Sequence, residues 1–261
     1  VTDDPSRTDR RAKLASILEG IDGLAMATPR KGRGSAWERV LKAAASSLGP
    51  EWVVARSGTQ AELIHLPVRW WFNSIGLDPK PNREELTFSH VPLMREFTPG
   101  TITFRQSSYQ PGPTDSAPPN VQMDIFDTRG AAEIVRWWAL GPSTKFFAAP
   151  PLPDLVAAAE QAYADREEKP RRDWMISAGL RVIADTGSPI EVIDSVLWEL
   201  ARRDVGGHVQ SFWRQFRAVA ESRDRLATLQ WLDEERRRSV KDAYGLRDSA
   251  FADVISHTED S

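Results

Sequence analysis

In the 261-residue chain, His65, His90 and Asp124 are the candidates for moving a proton or holding a metal ion. Each lies in a segment of alternating polarity, so neighbouring strands of one sheet could bring two imidazoles and a carboxylate together, as metal sites recruit ligands across strands. The competing expectation is that strand histidines are satisfied by hydrogen bonds in or near a core. The other two histidines, His208 and His257, are remote in sequence, and there is no His-Glu-x-x-His pair. Glu38, Asp78, Glu84 and Glu85 invite comparison with a magnesium-dependent nuclease core, whose acids work beside a lysine. The segment Val121–Phe126 carries Asp124 but no lysine two residues on. No phosphate loop, dinucleotide fingerprint or nucleophile elbow is present, so no cofactor and no metal are expected. The expectation leans away from an enzyme. A metal-dependent, hydrolase- or nuclease-like site on these residues is the alternative.

Recognition chemistry is better represented. Ten tryptophans occur, two pairs of them in the tripeptides Arg69-Trp70-Trp71 and Arg136-Trp137-Trp138. Adjacent residues cannot share one face of a strand and diverge widely on a helix, so each pair needs two separate environments. Period-2 sorting of the first pair sets Leu66, Val68, Trp70 and Phe72 on an apolar face and His65, Arg69, Trp71 and Asn73 on a polar one. Thr103, Arg105, Gln122 and Asp124 extend the polar face on neighbouring segments. On the second pair, Ala131, Ile134, Val135 and Trp138 share a helical stripe, and Trp137 falls toward Glu133 and Leu140. Trp70 and Trp138 are expected to clasp the sheet to a covering helix. Trp71 and Trp137 are surplus, either covered by the helical half or exposed for recognition. Arg69, Trp71, Asn73, Arg105 and Trp137 are therefore the candidate binding residues, since Trp and Arg dominate binding hot spots.

Two features suit nucleic acid weakly. The loop Arg30-Lys31-Gly32-Arg33 is short and basic, the composition that follows phosphates, though an ordinary linker has it too. Leu180–Leu200 loosely follows helix-turn-helix spacing, but Glu191 stands where a reading helix meets phosphates, which favours a plain helical hairpin. The net charge of −3 excludes binding through bulk positive charge.

The elements that must position these groups read as follows. A helix is expected over 5–26 and a second after Ser35, with a capping box from Ser35 to Glu38. Strands are expected at 52–55, 61–75, 86–90, 101–106 and 121–126, joined without intervening helices as an antiparallel meander. Helices are expected over 129–140, 152–167, 172–185, 189–203, 207–222 and 225–244. The fold class is α+β: two N-terminal helices, a mainly antiparallel sheet of about five strands with a covering helix, and an all-helical C-terminal half. Four segments follow: a helix with basic linker (1–34), the sheet domain (35–145), the helical domain (146–246) and a loosely held tail (247–261).

Hydrophobic content of 41% and charged content of 27% are ordinary for a globular chain, and cysteine is absent. No apolar run approaches the roughly 18 residues of a membrane span, and the start, Val1-Thr2-Asp3-Asp4-Pro5, lacks the basic and apolar regions of a secretion signal. A soluble, cytoplasmic protein without membrane contact is expected. The leading expectation is a non-enzymatic interaction, regulatory or assembly protein of a bacterium or phage. It would bind a protein partner or a second copy through the Trp/Arg-bearing sheet face or the stripe Phe212, Trp213, Phe216, Val219, Leu226, Leu229 and Leu232.

Overall fold

The computed structural model describes residues 31–79, 84–93, 122–141, 144, 147, 151–166, 172–203 and 207–255. The first expected helix, the expected strand at 101–106, Arg30, Thr103 and Arg105 lie outside them. The fold is α+β, with seven α-helices among the described residues and one five-stranded antiparallel sheet. Helix α1 (Arg33–Ala45) precedes strands β1 (Trp52–Ala55), β2 (Glu62–His65), β3 (Trp71–Pro79), β4 (Glu84–Pro92) and β5 (Gln122–Met123). Helix α2 (Thr128–Leu140) follows, then α3 (Leu152–Ala164), α4 (Ile176–Ala184), α5 (Ile190–Arg202), α6 (Gly207–Glu221) and α7 (Arg225–Tyr244). The strands lie in chain order, β1-β2-β3-β4-β5, as the lack of intervening helices requires of a meander.

The single strand expected over 61–75 is two strands. Residues 66–70 leave the sheet at a cis Leu66–Pro67 peptide, and Pro67 has no N–H to give to a ladder. The capping box at Ser35 does not form. Helix α1 starts at Arg33 behind Gly32, which adopts a left-handed φ of 77°, and Glu38 Oε1 instead accepts a hydrogen bond from the Gly58 amide at 2.5 Å. A Cβ at Gly34 would meet the Gly58 backbone at 2.9 Å. The close approach of α1 to the β1–β2 turn therefore depends on glycine at position 34.

Both faces of the sheet are covered, which corrects the expectation of one apolar and one polar face. On the first, Leu63, Ile75, Leu77, Leu86 and Phe88 pack with Trp37, Val40 and Leu41 of α1 and Val135 and Trp138 of α2. On the second, Ile64, Phe72 and Val91 pack with Val240 of α7 and with Phe251. The C-terminal half is not purely helical, because Phe251 forms a parallel bridge with Val68. Residues 247–255 of the expected loose tail lie against the sheet edge, with Ala250, Phe251 and Val254 buried. Val68 donates to the Ala250 carbonyl and Ala252 donates to the Val68 carbonyl.

The remaining helices form their own apolar cluster, in which Trp213, Phe216, Leu229 and Leu232 are core. Phe212 is half-buried against it, and Leu226 stays exposed. In the α4–α5 hairpin, Ile183, Ile193 and Val196 are buried in the same cluster. Pro189 stands just before the first residue of α5, and the Ser188 hydroxyl accepts from the Ile190 amide at 3.3 Å.

Candidate functional site

The covered first face of the sheet has a seam. Register sets Trp52 opposite His65 and Asn73 opposite His90. Side chains alternate, so these groups share the face of Leu63, Ile75 and Phe88 and occupy its far end. There the face stops being aliphatic and becomes aromatic and polar. A cavity of about 530 Å³ opens over it. Its floor is Trp52, His65, Trp71 and Asn73, and Arg69 comes from the irregular 66–70 segment. The end of α2 supplies Ala139 and Leu140, and Thr144 and Phe147 follow it in the chain. The Thr144 hydroxyl donates to the Gly141 carbonyl at 2.6 Å. Such a volume is in the range of small-ligand and side-chain pockets, about 300–1,000 Å³.

His90 underlies the floor. It is 3% exposed and stacks on Trp71 with ring centroids 4.2 Å apart and planes 5° from parallel. His90 Nδ1 lies 2.6 Å from Asn73 Oδ1. A carboxamide oxygen only accepts, so the imidazole is protonated on Nδ1 and donates. Burial pushes the His90 pKa down to about 4, so the ring is neutral at pH 7. With its oxygen engaged, Asn73 keeps its amide NH₂ for the cavity. Burial also pushes the His65 pKa below its ordinary value, partly offset by the nearby Glu51 carboxylate. The His65 ring tilts against Trp52 at 4.7 Å. Among the described residues the Arg69 guanidinium has neither a hydrogen bond nor an ion pair.

His65, Arg69, Trp71 and Asn73 are thus brought together as the alternation expected, but Trp71 is not an open platform. It is only 8% exposed and belongs to the core cluster of Leu155, Tyr163 and Trp174, so the helical half covers it. Trp70, expected to clasp sheet to covering helix, packs half-buried on that same helical cluster, with the Arg236 guanidinium 5.4 Å from its ring centroid. Trp138 does clasp the sheet, tilted on Phe88 at 5.1 Å. Trp137 is 62% exposed and Leu140, one turn on, is 59% exposed.

Asp124 does not join the histidines. It follows Met123, which pairs with Glu84, six positions along β4 from His90 and therefore on the order of 20 Å away. Its carboxylate accepts from the Phe126 amide at 3.0 Å, shaping the turn into α2. Of the acids compared with a nuclease core, Asp78 stands opposite Glu85 on the β3–β4 ladder, next to Glu84, but two of the four are otherwise engaged. Glu84 pairs with Arg33 Nε at 3.0 Å, and Glu38 is held on Gly58. Among the described residues no group of three His, Cys, Asp or Glu is placed to hold a metal ion. The pairing with Glu84 takes Arg33 out of the expected basic loop, in which Lys31 is exposed.

Trp52, Glu51, Leu140 and Phe147 are site residues that the sequence reading did not single out. Trp52 was open to the same sorting, since Trp52 and Val54 share a face of β1. Phe147 carried no signal, because it stands outside any periodic segment. No family profile matches the chain, and neither the curated proteins nor the solved structures contain a significant match to it.

Proposed function

We propose that the protein is a non-enzymatic interaction or assembly protein of the bacterial or phage cytoplasm that receives a protein partner at the aromatic cavity and across its lip. The observation carrying this is that Leu140 of α2 lines a cavity walled by Trp52, Trp71 and Phe147, and Trp137, one turn before it, is exposed beside it. Exposed tryptophan beside a concave aromatic site that carries an arginine is the composition of a binding hot spot. Scattered surface apolars need no such account, but an indole and a leucine one turn apart at a cavity mouth form one continuous apolar contact. Among the described residues no helix is long and apolar enough to cross a membrane. The cellular setting is inferred from a cysteine-free chain rich in alanine and arginine.

The test is quantitative capture of binding proteins from the native host by wild type and by a Trp137→Ser, Leu140→Ser variant. The variant is expected to lose at least about tenfold in retention of a specific partner, the equivalent of roughly 1.4 kcal/mol. Sedimentation of both proteins over a range of concentrations reports whether the partner is a second copy. Equal retention and equal mass for both proteins would remove the reading.

A further inference from the structure

One short strip of chain borders two different surfaces. Between Leu66 and Trp70 the backbone is outside the ladder. Val68 turns into the cluster of Phe72, Val91 and Phe251, while Pro67 and Arg69, on either side of it, line the cavity. Whatever holds the backbone at Val68 therefore sets where Pro67 and Arg69 stand.

The ends of the strip are fastened to the sheet. The Leu66 amide donates to the Glu51 carbonyl at 2.6 Å, and the Trp70 carbonyl accepts from the Leu93 amide at 2.8 Å. The middle is fastened elsewhere. Among the described residues, the backbone hydrogen bonds of Val68 and Arg69 go only to residues 250–252 and to Arg236. The Val68 amide donates to the Ala250 carbonyl at 2.8 Å, and the Val68 carbonyl accepts from the Ala252 amide at 3.0 Å.

The segment 246–255 that supplies those partners is lightly held. The chain leaves α7 at Gly245, whose left-handed φ of 66° turns it off the helix. Beyond that pivot only Ala250, Phe251 and Val254 are buried. The Arg236 and Arg237 guanidinium groups lie 5.6 and 5.5 Å from the Phe251 ring centroid, and both donate to the Ala252 carbonyl. Asp248 pairs with Lys241 in solvent, a contact that contributes little. Segments with so few buried groups open without global unfolding.

We infer that residues 246–255 are a releasable strap that sets one wall of the cavity. Docked, the strap completes the hydrogen bonding of Val68 and holds Pro67 and Arg69 on the lining. Released, it leaves the middle of the strip to Arg236 alone, and that wall loosens. The inference rests on the docking reading above for what the wall serves, and it adds a control to that site. A partner that ties down Pro67 or Arg69 also favours the docked strap, because coupling is reciprocal.

The test is amide exchange of the full chain, read by mass spectrometry and NMR. In wild type the Val68 and Ala252 amides are expected to share one level of protection, at least about tenfold below that of the slowest β3 amides. Two full-length variants follow, with near-UV circular dichroism to check that each folds. Phe251→Ser removes the ring. Ala252→Pro removes the donor to the Val68 carbonyl and keeps the buried side chains of the strap. Phe251, at φ −109° and ψ 133°, already has the extended backbone that a following proline requires. Each variant is expected to raise exchange over 66–70 at least about tenfold above wild type. A synthetic peptide of residues 246–255, in excess over the Phe251→Ser protein, is expected to restore that protection, and the same peptide carrying Phe251→Ser is not. Acceleration at 248–254 with wild-type protection at 66–70 overturns the inference. Wild-type exchange of Val68 or Ala252 as slow as that of β3 also overturns it, even if neither variant folds, since the strap then opens only with the whole chain. If the variants expose the strip and the peptide does not restore it, the segment is ordinary core and the inference fails. None of these readouts involves a partner, so capture that is indifferent to Trp137 and Leu140 removes the docking reading and leaves the strap.

Discussion

At the residue scale the His90 imidazole does its work by being uncharged. Its native pKa of about 4 lies below the ordinary 6.5 of the denatured chain. Between those values the unfolded state binds a proton that the folded state refuses, so stability from this group is complete above about pH 6.5 and drains away as pH falls toward 4. Integrated from pH 7.5 to 4.5 the loss is about 2–3 kcal/mol. Glu62, on the opposite face of the sheet, acts in the other direction. Burial raises its carboxyl above the ordinary value against the lowering effect of its Ser74 and Tyr244 hydrogen bonds. The folded chain then holds a proton that the unfolded one has released, and acidification relieves the strain. The wild-type profile is the sum of these opposed slopes. His90→Gln removes one and keeps the other, along with the lowered His65. Urea denaturation of both proteins at pH 7.5 and 4.5 should show wild type losing about 2–3 kcal/mol more than the variant. Parallel profiles would mean that the native imidazole is not held neutral by burial.

At the scale of elements, helix α2 shows how one tripeptide serves two purposes. Asp127 caps the helix by accepting from the Gly130 amide at 3.1 Å. The 3.6-residue repeat then turns Trp138 onto Phe88 and leaves Trp137 outside, edge-on to its neighbour at 5.1 Å. Trp138→Ala should therefore cost about 3–5 kcal/mol, the range for emptying a buried aromatic site. Trp137→Ala should cost no more than about 1 kcal/mol, the worth of one aromatic pair. Thermal or urea unfolding of the two variants checks the asymmetry, and similar losses would contradict the exposure assigned to Trp137. This division was legible in the sequence, as were the later helices, because periodicity and caps are local signals. α7 begins and ends where the pattern ended, at Arg225 and Tyr244. The strand break at 66–70 was signalled only by Pro67, and the covering of Trp71 had no local signal. It depends on Leu155 and Trp174, roughly a hundred positions away, reaching the same edge of the sheet. The cavity was half legible for the same reason. Its floor follows strand alternation, while Phe147 and Leu140 arrive through the packing of α2.

At the scale of the whole molecule, sheet and helices are joined through one buried cation. The side chain of Arg236, on α7, is wholly enclosed and ion-paired with Asp233. It donates from Nη1 to the carbonyls of Val68 at 2.6 Å and Arg69 at 2.9 Å, and from Nη2 to that of Ala252 at 3.0 Å. Burial lowers its pKa, which the hydrogen bond and charge of Asp233 partly restore. A guanidinium so far above neutrality in its ordinary range still remains charged. Two of its hydrogen bonds go to Asp233 and three to backbone carbonyls of segments that are not part of a full ladder, because the 66–70 segment has left the sheet and residues 250–252 only graze it. The same contact fixes the backbone from which Arg69 projects into the cavity. Removing the cation empties an enclosed site, takes a donor from the Val68, Arg69 and Ala252 carbonyls and leaves Arg237 alone on Asp233. Breaking a buried pair from one side costs about 3–5 kcal/mol, and the remaining Arg237 pair sets the expectation at the lower end, about 3 kcal/mol. Arg236→Ala should lose that much in urea denaturation. Amide exchange should accelerate together at residues 66–70 and 250–252, while α1, held by Trp37 on the far face of the sheet, changes only with global stability. Arg236→Lys should recover little, since one ammonium has three donors and no planar fork to span carbonyls from two segments. Exchange that rose in the tail alone would show that the 66–70 segment is held by its own packing, and that the cavity floor is independent of the helical half.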